Sequence, residues 1–292
     1  MTPRDIVLTL FVVFCWGFGF TLAKPAVEQF PAIFLMTICF AFTAALLLVV
    51  QRRPAKTSHL RAAVIALFAV TLQAALIFKG LEGLQASTAV LIAQTQVPMA
   101  VLWAWALGVE RFDWRKLLAL AIAFLGIVVI AGLPESKPAA LPLTLLLAGN
   151  VAWGLGQTLI GWIGEDEGPV LLRRVALHGT AQLALATLLF EQGQIAAVTT
   201  ATVLDWAALA FIAVFGFAIS YVLWFSLLKR NPVSSVTPFV MLMPVISVLA
   251  SMGLLGETPG WPAFVGGALI ILGVALSSGV LQRLRSVRVT SS

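Results

Sequence analysis

With 292 residues, 61% of them hydrophobic and 10% charged, and a mean hydropathy of +1.04, the chain lies outside the range of soluble domains, which carry about 25% charged residues. It reads as an all-α polytopic membrane protein. A net charge of +6 and a pI near 9.9 do not indicate nucleic acid, because Lys and Arg sit in short clusters between apolar runs, the pattern that orients membrane helices.

A spanning helix needs about 20 predominantly apolar residues. Ten runs meet that length, at 5–24, 31–51, 61–80, 84–108, 115–133, 142–163, 169–190, 205–228, 233–255 and 261–281. The first is a retained helix rather than a signal peptide, since only Arg4 against Asp5 precedes a run long enough to span. It carries Trp16-Gly17-Phe18-Gly19, and Cys15 and Cys39 in the first two runs read as small apolar packing residues. The third run ends near Phe78. The fourth crosses a polar stretch at Gln94, Thr95 and Gln96, is broken by Pro98, and leaves the membrane at Gly108-Val109-Glu110 with Trp114 beyond. In the sixth run Trp153-Gly154-Leu155-Gly156 echoes the motif of the first, and the seventh holds His178 with Gln182 one turn on. The acidic run Glu165-Asp166-Glu167 between them reads as a solvated loop. The ninth run repeats the design of the fourth with Ser234, Ser235, Thr237, Pro238 and Pro244, then Gly256-Glu257 and Trp261.

An offset of 147 residues sets Glu110 on Glu257, Trp114 on Trp261, Gly126 on Gly273 and Ser87 on Ser234, while Pro98 and Pro244 differ by 146. The chain therefore divides into a five-helix repeat at 1–133, an external linker at 134–141, a second repeat at 142–282 and a basic tail at 283–292. Five is odd, so the second repeat must enter from the opposite side. Ten transmembrane helices as two inverted five-helix repeats are a transporter architecture, with the substrate near the midplane between the halves. Small residues recur in register, Ala119 and Gly126 with Gly266 and Gly273, and predict close helix packing or a dimer contact between weakly associated monomers.

A proline removes its own N–H bond and frees the carbonyl four residues earlier, here those of Gln94, Ser234 and Val240. Such carbonyls must face protein or water, so Pro98, Pro238 and Pro244 mark the expected site. Polar candidates around it are Gln94, Gln96, Asn150, Gln157, Ser220 and Thr237. Gln94 and Gln96 point about 200° apart on a helix and cannot share one ligand. Trp16, Trp153, Tyr221, Trp224 and Phe78 are candidate walls, because a deep indole or phenol needs a polar partner. Trp114, Trp206 and Trp261 sit at helix ends as interface anchors. His178 is the candidate proton site, against the simpler reading of a neutral histidine bonded to Gln182 or a carbonyl. With all twelve acids at helix ends or in loops, the cavity should be near neutral and suit a zwitterion or uncharged metabolite. No metal or cofactor motif and no catalytic signature is present in the sequence, so a membrane enzyme or lipid scramblase is the lesser reading.

The Trp-Gly of each half, the Gly-x-Glu or Gly-Glu closing runs four and nine, and Leu125-Gly126-Ile127-Val128 with Leu272-Gly273-Val274 together resemble the drug/metabolite transporter superfamily in its EamA-type branch. Within it the likeness is greatest to the YddG-like amino-acid exporters. The resemblance implies a bacterial inner-membrane carrier that exports small metabolites by alternating access, facilitative or weakly proton-coupled.

Orientation follows from Lys and Arg alone. With the N-terminus inside, fifteen of the eighteen lie on the inner side and only Lys24, Lys79 and Lys137 outside. A reporter fused after Ser292 that fluoresces only in the cytoplasm should be active, and a phosphatase active only in the periplasm should be silent there. The reverse pair of results would reject the inverted assignment.

Overall fold

Apolar runs joined by short proline- and glycine-marked turns can only bury their backbone as helices at membrane depth, and the computed structural model is a helical bundle. It describes residues 1–22, 24–81, 92–131, 140–246, 249 and 260–277. Ser87, Gly256, Glu257, Lys137, most of the 134–141 linker and the basic tail from 283 lie outside the described residues. The helices are α1 (Pro3–Leu22), α2 (Ala32–Val50), α3 (His59–Ala66, a π-helical segment Leu67–Leu72, and Gln73–Leu81), α4 (Gln96–Ala106) and α5 (Trp114–Ala131). The second half supplies α6 (Ala140–Trp162), α7 (Gly168–Phe190), α8 (Val203–Phe211, a π-helical segment Ile212–Ile219, and Ser220–Arg230), α9 (Val233–Ile246, with a 3-10 segment Thr237–Leu242) and α10 (Trp261–Ser277). Gln194–Thr200, and all but the first residue of Lys24–Gln29, are short helices outside the ten runs read from sequence. Among the described residues, Ala32–Val50, His59–Ile77, Ala140–Trp162 and Val203–Arg230 are each long and apolar enough to cross a membrane on their own.

Helix starts follow from local chemistry. Pro31 and Pro232 stand at the N-caps of α2 and α9, and Pro169 lies in the first turn of α7, where a missing N–H costs nothing. The free N–H groups of Ile33 and Phe34 donate to the Glu191 carboxylate at 2.8 and 2.9 Å, and Thr202 with Asp205 closes a capping box on α8. Cys15 and Cys39 are free and buried.

The packing obeys the repeat. α2 packs on α7 and α5 on α10; α6 touches both α3 and α4, as α1 touches both α8 and α9. Shifting each helix number by five reproduces this set of neighbours. The mates α5 and α10 run antiparallel: a Cβ at Gly273 would meet the Ala119 carbonyl oxygen at 2.5 Å, and one at Gly266 would meet Ile130 Cγ1 at 2.6 Å. A Cβ at Gly126 would likewise stand 2.5 Å from the Gly266 carbonyl oxygen. The small residues thus serve a backbone-to-backbone contact within the chain, and the ten helices form two inverted five-helix repeats.

The basic end of the bundle is interlocked. Asp166 is 6% exposed, and its carboxylate accepts the backbone N–H groups of Lys56 and Thr57 at 2.7 and 2.9 Å. The Thr57 hydroxyl accepts from the Glu165 N–H at 2.9 Å. Arg173 donates to the carbonyls of Gln51 and, at 2.8 Å, Arg53, and Arg174 to that of Thr57. This corrects the solvated-loop reading. Glu165 and Glu167 do form surface pairs with Arg61 and Arg53, but Asp166 turns inward to serve donors the 51–58 turn cannot satisfy itself. Sequence alone does not tell which of three adjacent acids does so.

Burial acts to raise the Asp166 carboxyl, but the Lys56 and Thr57 hydrogen bonds and the Arg174 charge outweigh it and hold it below its ordinary value. A depressed folded-state pKa stabilises above the unfolded value, near 4, and that stabilisation is lost as pH falls through the lower folded one. Asp166→Asn should therefore lower stability at pH 7 by about 1.5–3 kcal/mol, the worth of hydrogen bonds to a charged group. It should also flatten the acid limb of melting temperature against pH. Equal melting temperatures for variant and wild type from pH 7 to pH 3 would refute the latch.

Candidate functional site

The Trp-Gly motifs place a ring and a backbone contact side by side. On α6, Gly154 lies so close to α4 that a Cβ would stand 2.6 Å from the Ala100 nitrogen, and Gly156 so close to α3 that one would stand 2.4 Å from the Ala69 Cα. On α1, a Cβ at Gly17 would press on Ile246 at 3.0 Å and the Met243 carbonyl at 3.2 Å, both on α9. The preceding tryptophan of each motif then faces the space between the halves. Trp16, Ala69, Trp153, Gln157, Ile160, Tyr221, Trp224 and Phe225 enclose a cavity there of about 10 Å³, room for about one water.

The rings form one aromatic cluster. Trp16 lies 4.9 Å from Trp224 and 5.9 Å from Tyr221, ring centre to ring centre, and Trp153 lies 6.4 Å from Trp224. Phe40 and Phe217 back Tyr221 at 5.3 and 5.2 Å. The polar handles are mostly paired. Trp224 Nε1 donates to Gln157 Oε1 at 2.6 Å, Gln157 Nε2 to the Trp153 carbonyl at 3.3 Å, and Trp16 Nε1 to the Gly216 carbonyl at 2.9 Å. That last acceptor belongs to the π-helical segment of α8, where the wider turn releases carbonyls from the α-helical ladder; Ser220 Oγ takes the neighbouring Phe215 carbonyl at 2.5 Å. No cavity-lining side chain carries a formal charge. Trp153 and Tyr221 present an indole N–H and a hydroxyl that donate to no described residue.

The structure thus brings together Trp16, Trp153, Gln157, Tyr221 and Trp224. It sets the other expected site residues apart. Gln94 is 5% exposed and lies with Thr95 in the turn before α4, next to Asn150 rather than in the aromatic cavity. Gln96 is half-buried at the start of α4. The Phe78 side chain lies outside the described residues. Thr237 is buried, with its hydroxyl turned back onto the Val233 carbonyl at 2.9 Å, as threonine commonly does in a helix.

The proline breaks close on themselves. The Gln94 carbonyl freed by Pro98 accepts from the Val97 N–H at 3.3 Å, and the Val240 carbonyl freed by Pro244 accepts from Met243. Both helices tighten to i+3 bonds, so each of these carbonyls has a donor within its own helix. Pro238 lies within the 3-10 segment. His178 pairs with neither Gln182 nor a carbonyl: its Nε2 lies 3.2 Å from His59 Nδ1. Gln182 instead accepts from the Thr71 hydroxyl at 2.7 Å and donates to the Ala63 carbonyl at 3.1 Å. The His59 contact escaped the sequence reading because the two histidines are far apart in the chain. Gln73, in the middle of the apolar third run, was also passed over, although a lone amide at membrane depth is itself a signal.

At the basic end two further contacts join the halves, besides those of Asp166, Arg173 and Arg174 with the 51–58 turn. Glu110 accepts from the Ser234 N–H at 3.1 Å and from its hydroxyl, and Lys116 reaches that hydroxyl at 2.5 Å. Arg230 stands 3.2 Å from Asp5. Trp114 and Trp261 are exposed, and Arg115 lies 5.8 Å from the Trp114 ring centre.

Gln157 holds the cage together, so removing its acceptor leaves a fully buried indole N–H unpaired. Gln157→Leu should cost about 1–3 kcal/mol of stability, the usual penalty for such an orphan, and shift the tryptophan emission of the protein. Unchanged emission and melting temperature would show that the Trp224 bond does not form.

Comparison with known proteins accords with this architecture. A crystal structure whose chain is 18% identical superposes with a TM-score of 0.79 over 97% of this chain and 99% of that one. A protein of Escherichia coli K12 described as a probable amino-acid metabolite efflux pump is 27% identical over the full length of both chains. One from Streptantibioticus cattleyicolor described as a probable terminal-alkyne amino-acid exporter is 29% identical over 65% of this chain and 63% of that protein. The model of the EamA-like transporter family matches residues 4–132 and again 140–279. Two matched halves, ten helices and a cavity between them make this chain a membrane transporter, and it belongs to the EamA-like transporter family.

Proposed function

We propose that the protein exports amino acids or closely related zwitterionic metabolites from the cytoplasm by alternating access, facilitatively or with weak proton coupling. The observation that carries this reading is the uncharged aromatic cavity at the joint of the two repeats. Indole and phenol rings offer apolar area with polar edges, which suits a small molecule bearing balanced charges better than an ion. The two relatives, one described as a probable amino-acid metabolite efflux pump and one as a probable terminal-alkyne amino-acid exporter, point the same way.

In this reading the basic end faces the cytoplasm of a bacterial inner membrane, and the described state is shut on that side. Loading from inside then requires the Glu110–Ser234–Lys116 and Asp5–Arg230 contacts to part while the α5–α10 contact persists. Among the described residues, none of the buried acids, Asp5, Asp166 and Asp205, lines the cavity, and His178 sits with His59 toward the basic end. Proton movement is therefore not built into the cage.

The test is counterflow in proteoliposomes with labelled neutral amino acids, a sugar and a nucleoside. Saturable exchange of the amino acids is expected, changed less than about twofold by an imposed proton gradient, and His178→Ala should retain it. Saturable exchange of the sugar or nucleoside alone would reject the substrate class. A strict gradient requirement lost in His178→Ala would make that histidine the proton carrier.

A further inference from the structure

Four buried polar atoms lack a partner among the described residues: Gln73 Oε1, Gln94 Oε1, Asn150 Oδ1 and Trp105 Nε1. Three of the four are amide oxygens, carried by α3, by α6 and by the turn before α4, and α6 packs against both α3 and α4. Asn150 is fully buried on α6, one turn before Trp153 on the same face. Its Nδ2 donates to the Ile92 carbonyl at 2.6 Å and to Thr95 Oγ1 at 2.9 Å. Thr95 spends its own proton on the Ile92 carbonyl at 2.7 Å, so both groups facing Asn150 can only accept. Turning the amide over would set its oxygen against the Ile92 carbonyl. Oδ1 is therefore fixed on the other side, with no donor. Gln94 belongs to the turn that includes Thr95, and its side chain bonds no described residue. Gln73 lies on the stripe of α3 that meets α6, between Ala69 against Gly156 and Ile77 against Gly149, which brings it to the level of Trp153. Trp105 stands about 16 Å further along α4 and does not belong to the group.

Acceptors without donors at membrane depth are expensive to keep, and apolar residues of the same size would avoid the cost. What the cluster lacks is a ligand rich in N–H groups. A primary ammonium brings three donors and no acceptor, matching three oxygens, whereas a hard cation such as calcium or magnesium takes about six or more. The cluster also adjoins Trp153, so a molecule seated here can lay its side chain among the indoles. We propose that Gln73, Gln94 and Asn150 form an ammonium subsite, which grips the –NH3⁺ of the transported molecule through three neutral amide oxygens. This rests on the transporter reading above and assigns one end of its substrate.

The subsite can be tested apart from that reading. L-phenylalanine and L-leucine are compared with their deaminated counterparts, 3-phenylpropionate and 4-methylpentanoate, by ligand-induced thermal shift and by counterflow. Wild type should bind the amines roughly tenfold or more tightly, the effect of one charge-assisted hydrogen bond. Gln94→Met removes an orphan acceptor and cuts no described side-chain bond. It should raise the melting temperature of the ligand-free protein and bring amine and acid to within about threefold of each other. Asn150→Asp should tighten amine binding relative to the acid, a gain that a purely structural asparagine would not give.

Saturable exchange in which amine and acid compete equally would overturn the subsite and leave the carrier standing. Amine binding that disappears when sodium is replaced by potassium would give the cluster to a metal ion instead and overturn it too. A Gln94→Met protein that melts lower with its amine preference intact would make the residue structural. If neither amines nor acids show saturable exchange in wild type, the substrate class and the subsite fall together.

Discussion

A backbone carbonyl without a donor is among the costliest features a helix can carry through hydrocarbon, and the interior of this protein is arranged around meeting that constraint. Its central helices are irregular at matching places, with π-helical segments in α3 and α8 and tightened turns at Pro98 and in α9. At Pro98 and Pro244 the freed carbonyls take i+3 bonds within their own helices. Around the π segments the donors come from the opposite repeat. Trp16 of the first half serves the Gly216 carbonyl of the second, and Gln182 of the second adds a donor to the Ala63 carbonyl of the first, which also accepts from the Leu67 N–H at the turn before the π segment. Each half is thus braced by a side chain of the other.

That reciprocity explains why the aromatic cage sits where it does. The carbonyl released in α8 needs a rigid donor reaching from α1, and an indole N–H provides one while its ring adds apolar wall. Gly17 and Gly154 fix how deep those rings stand, because they let α1 and α6 approach the broken helices α9 and α4. The α5–α10 pair contributes nothing to the cage. Its glycines hold two backbones in contact, as a pivot between the halves would require.

Much of this was legible in the sequence. Ten apolar runs, the offset that pairs Glu110 with Glu257, and the twin Trp-Gly motifs carry the helix count and the inversion, because membrane length and charge bias are strong constraints on individual residues. Trp16, Trp153, Tyr221 and Trp224 stand out in the sequence as deep rings with a polar edge, whereas Phe225 of the same cavity has no such edge to mark it. What sequence could not carry was the accounting of hydrogen bonds. Pro98 and Pro244 correctly mark breaks, yet whether the freed carbonyl faces a cavity or the next N–H depends on a few degrees of backbone twist. Thr237 looks like a lining residue until its hydroxyl folds back on Val233. His178 and His59 are 119 residues apart, so no local pattern joins them. The π segments leave no mark in an unbroken apolar run.

A cavity that holds about one water cannot hold an amino acid, so for the exporter proposed above the cage must widen on loading. The elements able to supply that room are the irregular ones. In a π-helical turn one residue too many occupies each bond, and passing that extra residue along the helix re-aims every side chain beyond it. In α8 the residues beyond the π segment include Tyr221, Trp224 and Phe225, three of the five aromatic rings that line the cavity. A shift of the segment would swing them without unwinding the helix, provided Trp16 released the Gly216 carbonyl or followed it. The hydrogen bond between the repeats is therefore also the restraint on the wall, and separation of the halves loosens both at once. For that exporter the enlargement of the cavity would accompany the parting of the repeats, because the Trp16 bond to the Gly216 carbonyl joins one repeat to the other and borders the cavity.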